Sequence, residues 1–198
     1  CSAFVGLGTI MEDESAAAAV AAGVQPNLGY LYGEAKHFSL LLTKTVCAQR
    51  GIPHLWAAIT NAYGEYEYSP RFINTTLRKI LRKEPLEFTA GTQMYDFIHA
   101  EAGAEALTAI GTLGKPFHSY LIGSGQAAPL RTFVERLGNI LAPNQPLRFG
   151  SVPYTGAQLP AERFSIEQLT KDTGFVPQIS FEEGLFRTME WLRQEEAK

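Results

Sequence analysis

The sequence predicts an α/β fold organised on a mainly parallel sheet. Three observations carry that prediction. Apolar runs of strand length recur along the chain, 3-AFVGL-7, 54-HLWAAI-59 and 119-SYLI-122, with helical periodicity between them. Each run ends in a small or polar turn: Gly8-Thr9, Thr60-Asn61 and Gly123-Ser124-Gly125. The run 54–59 lacks polar alternation, as a strand covered on both faces does. Strands that alternate with helices imply crossover connections and parallel pairing.

The elements follow in order. Ala3 to Leu7 is a short buried strand by its apolar run. A polar stretch leads to the alanine-rich 15-SAAAAVAAG-23, read as a loop or a short helix stopped by Gly23. Pro26-Asn27 then precedes a helix of roughly twenty residues, on which Leu31, Ala35, Phe38, Leu42 and Val46 form one apolar stripe. Tyr32, Lys36 and Thr43 fall on a different stripe, and Gly51 and Pro53 close the helix. The strand 54–59 runs into Thr60-Asn61-Ala62-Tyr63-Gly64, read as a polar turn. Phe72 to Leu81 reads as helix, 95-YDFIHA-100 as a strand flowing into the helix 101–110, and Pro129 to Ile140 as a further helix. The proline-dotted segment 143–160 is irregular. The closing helix opens on a capping box, Ser180 with Glu183 three residues on. No internal repeat is present.

Composition excludes several classes. The 198 residues suit one domain, or one with a small lobe. The formal net charge is −3 and no basic run occurs, so no nucleic-acid footprint exists. Cys1 and Cys47 cannot build a disulfide framework, and His37, His54, His99 and His118 have no metal-ligand spacing. No apolar run has the roughly 18 residues of a membrane span, and the first residues lack a charged signal region, so the expected location is the cytoplasm. The chain opens on Cys1 and enters an apolar strand at once, which reads as the latter part of a longer protein.

Two glycine-rich turns invite a phosphate-binding reading. Gly6-Leu7-Gly8 lacks a third glycine at the dinucleotide spacing, and Gly123-Ser124-Gly125 is followed too soon by Pro129. Both read as tight strand-to-helix turns. No phosphate-loop lysine motif and no nucleophile elbow is present.

Tyr32 and Lys36 carry more. Residues at i and i+4 share a helix face, and an ammonium beside a phenol favours its ionised form. A tyrosine so placed can act as general acid or base in hydride chemistry, where a carbonyl gaining hydride also gains a proton. With eight tyrosines in the chain the spacing alone is weak. Order strengthens it: a strand ending in Gly8-Thr9 comes before, and a buried strand ending at Asn61 comes after. Ligands of open α/β sheets bind at the carboxyl ends of the strands, so Thr9, Tyr32 and Asn61 are expected in one crevice.

Taken in order, Gly8-Thr9, Tyr32-Gly-Glu-Ala-Lys36, Asn61-Ala-Tyr63-Gly64, Asp96-Phe-Ile-His99, Tyr120-Leu-Ile-Gly-Ser-Gly125, Gly174-Phe-Val-Pro177, Glu183-Gly-Leu185 and Trp191 make a specific set. In these the chain resembles the extended short-chain dehydrogenase/reductases, the NAD-dependent epimerase/dehydratase group acting on nucleotide sugars. The resemblance spans nearly the whole chain. It implies the C-terminal part of a Rossmann-like parallel sheet with a small α/β substrate lobe, the family's glycine-rich first half having no counterpart here. It implies Tyr32 as acid/base, Lys36 as partner of the nicotinamide ribose, and Thr9 as the third catalytic residue. It further implies cofactor contacts at Gly8, substrate contacts at Asn61 and Thr9, and NAD or NADP as cofactor. A nucleotide sugar is the implied substrate and a homodimer through the Tyr32–Lys36 helix the implied assembly.

Three departures accompany it. Ala58 stands where the family often has arginine, three residues before the asparagine. Tyr95 stands where many members have a basic residue facing the diphosphate. Ile10-Met11 stands where the 4,6-dehydratases carry an Asp-Glu pair, which favours epimerase or keto-sugar reductase chemistry. The competing reading is a non-catalytic portion unable to hold the dinucleotide alone.

Overall fold

The computed structural model describes residues 2–25 and 27–197. Cys1 at the chain's start and Pro26 before the long helix therefore lie outside the described residues. Three parallel strands, β1 (Phe4–Thr9), β2 (His54–Ile59) and β7 (Ser119–Ile122), form the main sheet in the order β1-β2-β7. Thr9 lies opposite Ile59, and Ile59 opposite Ile122, so all three strands end together. One face carries α1 (Met11–Val20) and α2 (Leu28–Gln49), the other α4 (Ala100–Leu113) and α6 (Glu167–Thr173). Under α4 and α6 lies an aliphatic core of Leu55, Ala57, Ala102, Ala106, Ile110, Ile122 and Leu169. Such an arrangement is a Rossmann-type parallel sheet with helices on both faces.

The second lobe is built from α3 (Phe72–Leu81), α5 (Leu130–Leu141) and α7 (Phe181–Glu196) around short strand pairs. β3 (Asn61–Tyr63) pairs in parallel with β6 (Phe97–His99), and β4 (Leu86–Phe88) with β9 (Leu147–Phe149). β5 (Met94–Tyr95) pairs antiparallel with β8 (Ala128–Pro129). Its core is aromatic: Phe97, Phe133 and Phe181 meet edge-to-face or tilted at 5.0–5.8 Å between centroids. Each such ring, fully buried, stabilises by about 2–3 kcal/mol. Among the described residues no helix is long and apolar enough to cross a membrane.

Several elements differ from the sequence expectation. Helix α1 already starts at Met11, because Glu12 folds back to accept the Thr9 N–H at 2.9 Å and Thr9 Oγ1 accepts the Met11 N–H at 3.3 Å. These bonds satisfy N–H groups left open where strand passes into helix. The expected turn at 60–64 is a strand, since the chain changes sheets there. The Thr60 N–H bonds Ile122 O, whereas the Asn61 N–H bonds Asp96 O. The expected single strand 95–100 breaks at Asp96 into β5 and β6.

Asp96 is fully buried. Its carboxylate accepts the Ser124 N–H at 2.8 Å and the Ser124 hydroxyl. Burial pushes the carboxyl up against the bonds from Ser124 and Gly125. A second polar clasp joins lobe to sheet. Glu65 meets His99 Nε2 at 2.8 Å and Arg187 Nε at 3.1 Å, and Arg187 also pairs with Glu101. Although desolvation opposes ionisation, the hydrogen bonds of His99, Arg187 and its own backbone hold the Glu65 carboxyl below its ordinary range. Gly184 lets α7 cross tightly over Tyr63 and His99, where a Cβ would strike the Tyr63 hydroxyl.

Removing the Asp96 carboxylate orphans two donors of Ser124. Asp96→Ala is therefore expected to lower the unfolding free energy by about 3 kcal/mol in urea denaturation. Gly184→Ala is expected to cost about 1–3 kcal/mol by the same measurement, through overpacking.

Candidate active site

The site starts at the end of β1. Trp56 lies against Gly6 and Gly8, whose missing side chains leave room for its indole. Its Nε1–H reaches both oxygens of Glu12, at 3.2 and 3.3 Å. Glu12 in turn holds the Thr9 backbone. The indole thus fixes the strand end from below and leaves the Thr9 hydroxyl proton available for donation.

Helix α2 crosses α1 at Gly33, where a Cβ would collide with the Met11 carbonyl. That close approach brings Lys36 over the strand. Its ammonium donates to Leu7 O at 3.0 Å and sits 5.8 Å from the centroid of the Tyr32 ring. A cation at that range is attracted to the ring. Tyr32 is half exposed, at 49%, and among the described residues its hydroxyl has no hydrogen-bond partner. Lys36 keeps two further N–H protons, since Leu7 O takes only one. The structure therefore brings Tyr32 and Lys36 together and ties Lys36 to β1 at Leu7, next to Gly8-Thr9.

Asn61 stands on the neighbouring strand path, two residues beyond the β2 partner of Thr9. Its Nδ2 donates to Asp96 O at 3.2 Å. It lines a cleft of about 190 Å³ with Arg71, Phe72, Tyr95 and Phe97. Arg71 occupies the N-cap position of α3 and keeps one loose ion pair, with Glu67 at 3.5 Å. It escaped the sequence reading; the signal was a proline-preceded arginine opening an amphipathic helix ten residues after Asn61. Glu14 on α1 also escaped, and its spacing offered no signal. Burial raises its carboxyl to about 7, and its charge helps raise the Tyr95 phenol, itself desolvated, to about 12.

The glycine turns prove to be packing devices. Gly6 and Gly8 accommodate Trp56, and the Ser124 N–H is spent on Asp96. Neither turn offers the free N–H groups that cradle a pyrophosphate. The residues present fit the other end of a dinucleotide, since Lys36 keeps two N–H groups beyond its bond to Leu7 O, donors that suit a ribose diol.

Residues 11–123, more than half of the chain, match the model of the NAD dependent epimerase/dehydratase family. The chain belongs to that family. Curated relatives share its pattern at low identity. A dTDP-glucose 4,6-dehydratase of Xanthomonas campestris pv. campestris is 24% identical over 169 residues, which are 81% of this chain and 48% of that protein. A dTDP-glucose 4,6-dehydratase 1 of Escherichia coli K12 is 27% identical over 150 residues, 71% of this chain and 41% of that protein. The chain thus spans less than half the length of these relatives.

Solved structures at low identity carry the same fold. RMD from Pseudomonas aeruginosa, complexed with NADPH, superposes with a TM-score of 0.78 at 19% identity, covering 98% of this chain and 67% of that one. UDP-glucose 4-epimerase from Thermotoga maritima, with UDP-glucose, has the same TM-score and identity, covering 98% and 64%. dTDP-glucose 4,6-dehydratase from Bacillus anthracis, in complex with NAD, has a TM-score of 0.78 at 18% identity, covering 98% and 63%.

The raised Glu14 carboxyl has a pH consequence. The folded state binds this proton up to about pH 7, the unfolded chain only to about 4.5. Between those values the native state holds more protons, so this group's contribution to stability falls as pH rises. Melting temperature is expected to decline across pH 4.5–7, and Glu14→Gln to flatten that decline.

Proposed function

We propose that this chain is the C-terminal portion of an NAD(P)-dependent enzyme acting on a nucleotide sugar, an epimerase or keto-sugar reductase. One observation carries the reading. Lys36 spans from Leu7 O, two residues before Thr9, to the ring of Tyr32, whose hydroxyl has no partner among the described residues, which supports a proton-handling pair near the carboxyl end of β1. When bound, the nicotinamide supplies hydride acceptance and return.

The protein's own residues handle the rest. Tyr32 takes the proton as a sugar hydroxyl becomes a carbonyl, and returns it on reduction. Thr9 donates a hydrogen bond to the same oxygen. The Lys36 ammonium favours negative charge developing on the phenol oxygen, and its spare protons hold the ribose. The Gly8 backbone borders the cofactor side. Asn61 binds the substrate, and Arg71 supplies to the diphosphate the cation that Tyr95 lacks. Ile10 is buried against Leu159 and Phe164, and Met11 is packed under Gly29. Neither gives an acid or base for dehydration, which supports epimerase or reductase chemistry. A cytoplasmic setting suits such a reaction.

Two exposed surfaces support the wider assembly. On β1, Val5 and Leu7 are 36% and 47% exposed, and among the described residues one edge of the strand has no partner. A bare strand edge carries unpaired N–H and C=O groups that pair readily with another strand, so this edge suits further strands of a longer sheet. On α2, Leu31, Phe38, Leu41, Leu42 and Val46 are all exposed. That stripe suits a homodimer, in which each copy covers the other's helix. The alternative, a chain that folds without holding the dinucleotide, is favoured by the absence of a free cradle at the two glycine turns.

Tyr32→Phe is expected to cut turnover about 10²–10⁴-fold with the melting temperature unchanged; undiminished turnover sinks the assignment. Titration with NADH and NADPH, followed by nicotinamide fluorescence, separates the readings. Micromolar binding supports the enzyme, whereas no binding by the 198-residue chain supports the non-catalytic alternative. Phe38→Glu with Leu42→Glu is expected to yield monomers in sedimentation velocity.

A further inference from the structure

Helix α3 and the loop before it concentrate positive charge. Between Tyr68 and Lys83 stand Arg71, Arg78, Lys79, Arg82 and Lys83 with no acid among them, whereas the chain's other twelve cations face twenty acids. Three of the five converge on one cleft of about 220 Å³, where Arg78, Lys79 and Arg82 meet Tyr68, Thr75 and Glu84. Neither Asn61 nor Arg71 nor Tyr95 lines it, so it is separate from the Asn61 cleft.

The protein uses only part of this charge itself. Arg78 donates from Nη2 to Glu67 O at 3.1 Å. Arg82 donates from Nε and Nη2 to Glu196, at 3.1 and 2.8 Å. Lys79 is half-buried, and among the described residues its ammonium has no hydrogen-bond or ion-pair partner. The helix dipole favours cations in the last turn of α3, where Arg78 and Lys79 stand. It does not account for three cations lining one cleft, which repel one another unless an anion answers them. Glu84 is the one acid in that lining. With Arg82 matched by Glu196, Glu84 answers only one of the two cations that remain.

Tyr68 adds a flat wall. Its ring packs edge-on against Trp191 at 5.4 Å and stays 67% exposed. The loop that carries it is braced. The Glu67 carboxylate accepts the Ser69 N–H at 2.8 Å, and the Glu67 carbonyl accepts Asn74 Nδ2 at 3.3 Å. A fixed, exposed ring beside cations is a platform on which another flat ring stacks, and guanidinium N–H groups match phosphate oxygens. The cleft is smaller than the roughly 300–1,000 Å³ of drug-sized ligand sites, so its ligand is small. We propose that this cleft binds a small aromatic phosphate ester, with Arg78, Lys79 and Arg82 on the phosphate and Tyr68 against the ring. The assignment stands apart from the nucleotide-sugar reading and does not depend on it.

The test titrates the full chain with phenyl phosphate and with inorganic phosphate, by calorimetry and amide NMR. Salt at about 0.15 M screens diffuse attraction. Phenyl phosphate is expected to bind saturably and more tightly than inorganic phosphate, shifting the amides of Arg78 and Lys79. Lys79→Ala is expected to weaken both ligands about tenfold. Tyr68→Ala is expected to weaken phenyl phosphate about tenfold and to leave inorganic phosphate unchanged. Thermal melts verify folding, and Lys79 has no internal partner whose loss would disturb it. No saturable binding by the wild type overturns the assignment, as does undiminished binding of phenyl phosphate in either folded variant. If Arg71→Ala abolishes binding and Lys79→Ala keeps it, the phosphate lies in the Asn61 cleft, and the assignment falls while the nucleotide-sugar reading stands.

Discussion

The carboxyl edge of this molecule hangs on one buried carboxylate. Asp96 receives both donors of Ser124 through its side chain, and both the N–H and Nδ2 of Asn61 through its backbone carbonyl. One residue thereby fastens the turn after β7 to the strand where the chain leaves the main sheet for the lobe. The cleft wall, the break between β5 and β6, and the position of Asn61 all follow. Gly123 has to be glycine here, because a Cβ would run into the Asp96 carboxylate. Burying an ion is costly unless its hydrogen bonds are met; here they are met by the turn that it positions.

A second constraint sets the other side of the crevice. Helix α2 puts its glycine and polar residues inward and its apolar stripe outward, the reverse of a surface helix on an isolated domain. Gly33 faces Met11, Lys36 faces Leu7 O, and Thr43 meets the buried His54 at 2.9 Å. The inward face thus serves the site, which requires a small residue for close approach and a cation for reach. The outward face is left apolar, with Leu31, Phe38, Leu41, Leu42 and Val46 exposed. The proposed catalytic pair and the proposed association surface therefore fall on different faces of one helix.

The lobe is attached by charge as well as by aromatic packing. Glu65, His99, Arg187 and Glu101 join the β3 loop, the start of α4 and α7. Tyr66 and Tyr68 of the same loop pack on Trp191 at 5.5 and 5.4 Å. The loop that leads to Arg71 is therefore held at both ends of its path. That sets the guanidinium on the wall of the Asn61 cleft, beside Phe72 and Tyr95.

What the sequence settled by itself was local. Apolar runs gave the three main strands, and periodicity with end signals gave α2, α3, α5 and α7 close to their observed bounds. Both are readable because burial of a strand or a helix face acts on residues near one another in the chain. Tyr32 and Lys36 were legible for the same reason, being one helical turn apart. Only tertiary structure decided the rest. The 60–64 segment became a strand because its partner lies 36 residues on, at 97–99. The α2 stripe turned outward because Met11 and Leu7 claimed the other face. Asn61, Arg71 and Tyr95 share a cleft although they stand ten and twenty-four residues apart in the chain. Such facts reside in contacts across long stretches of chain, where spacing carries no information.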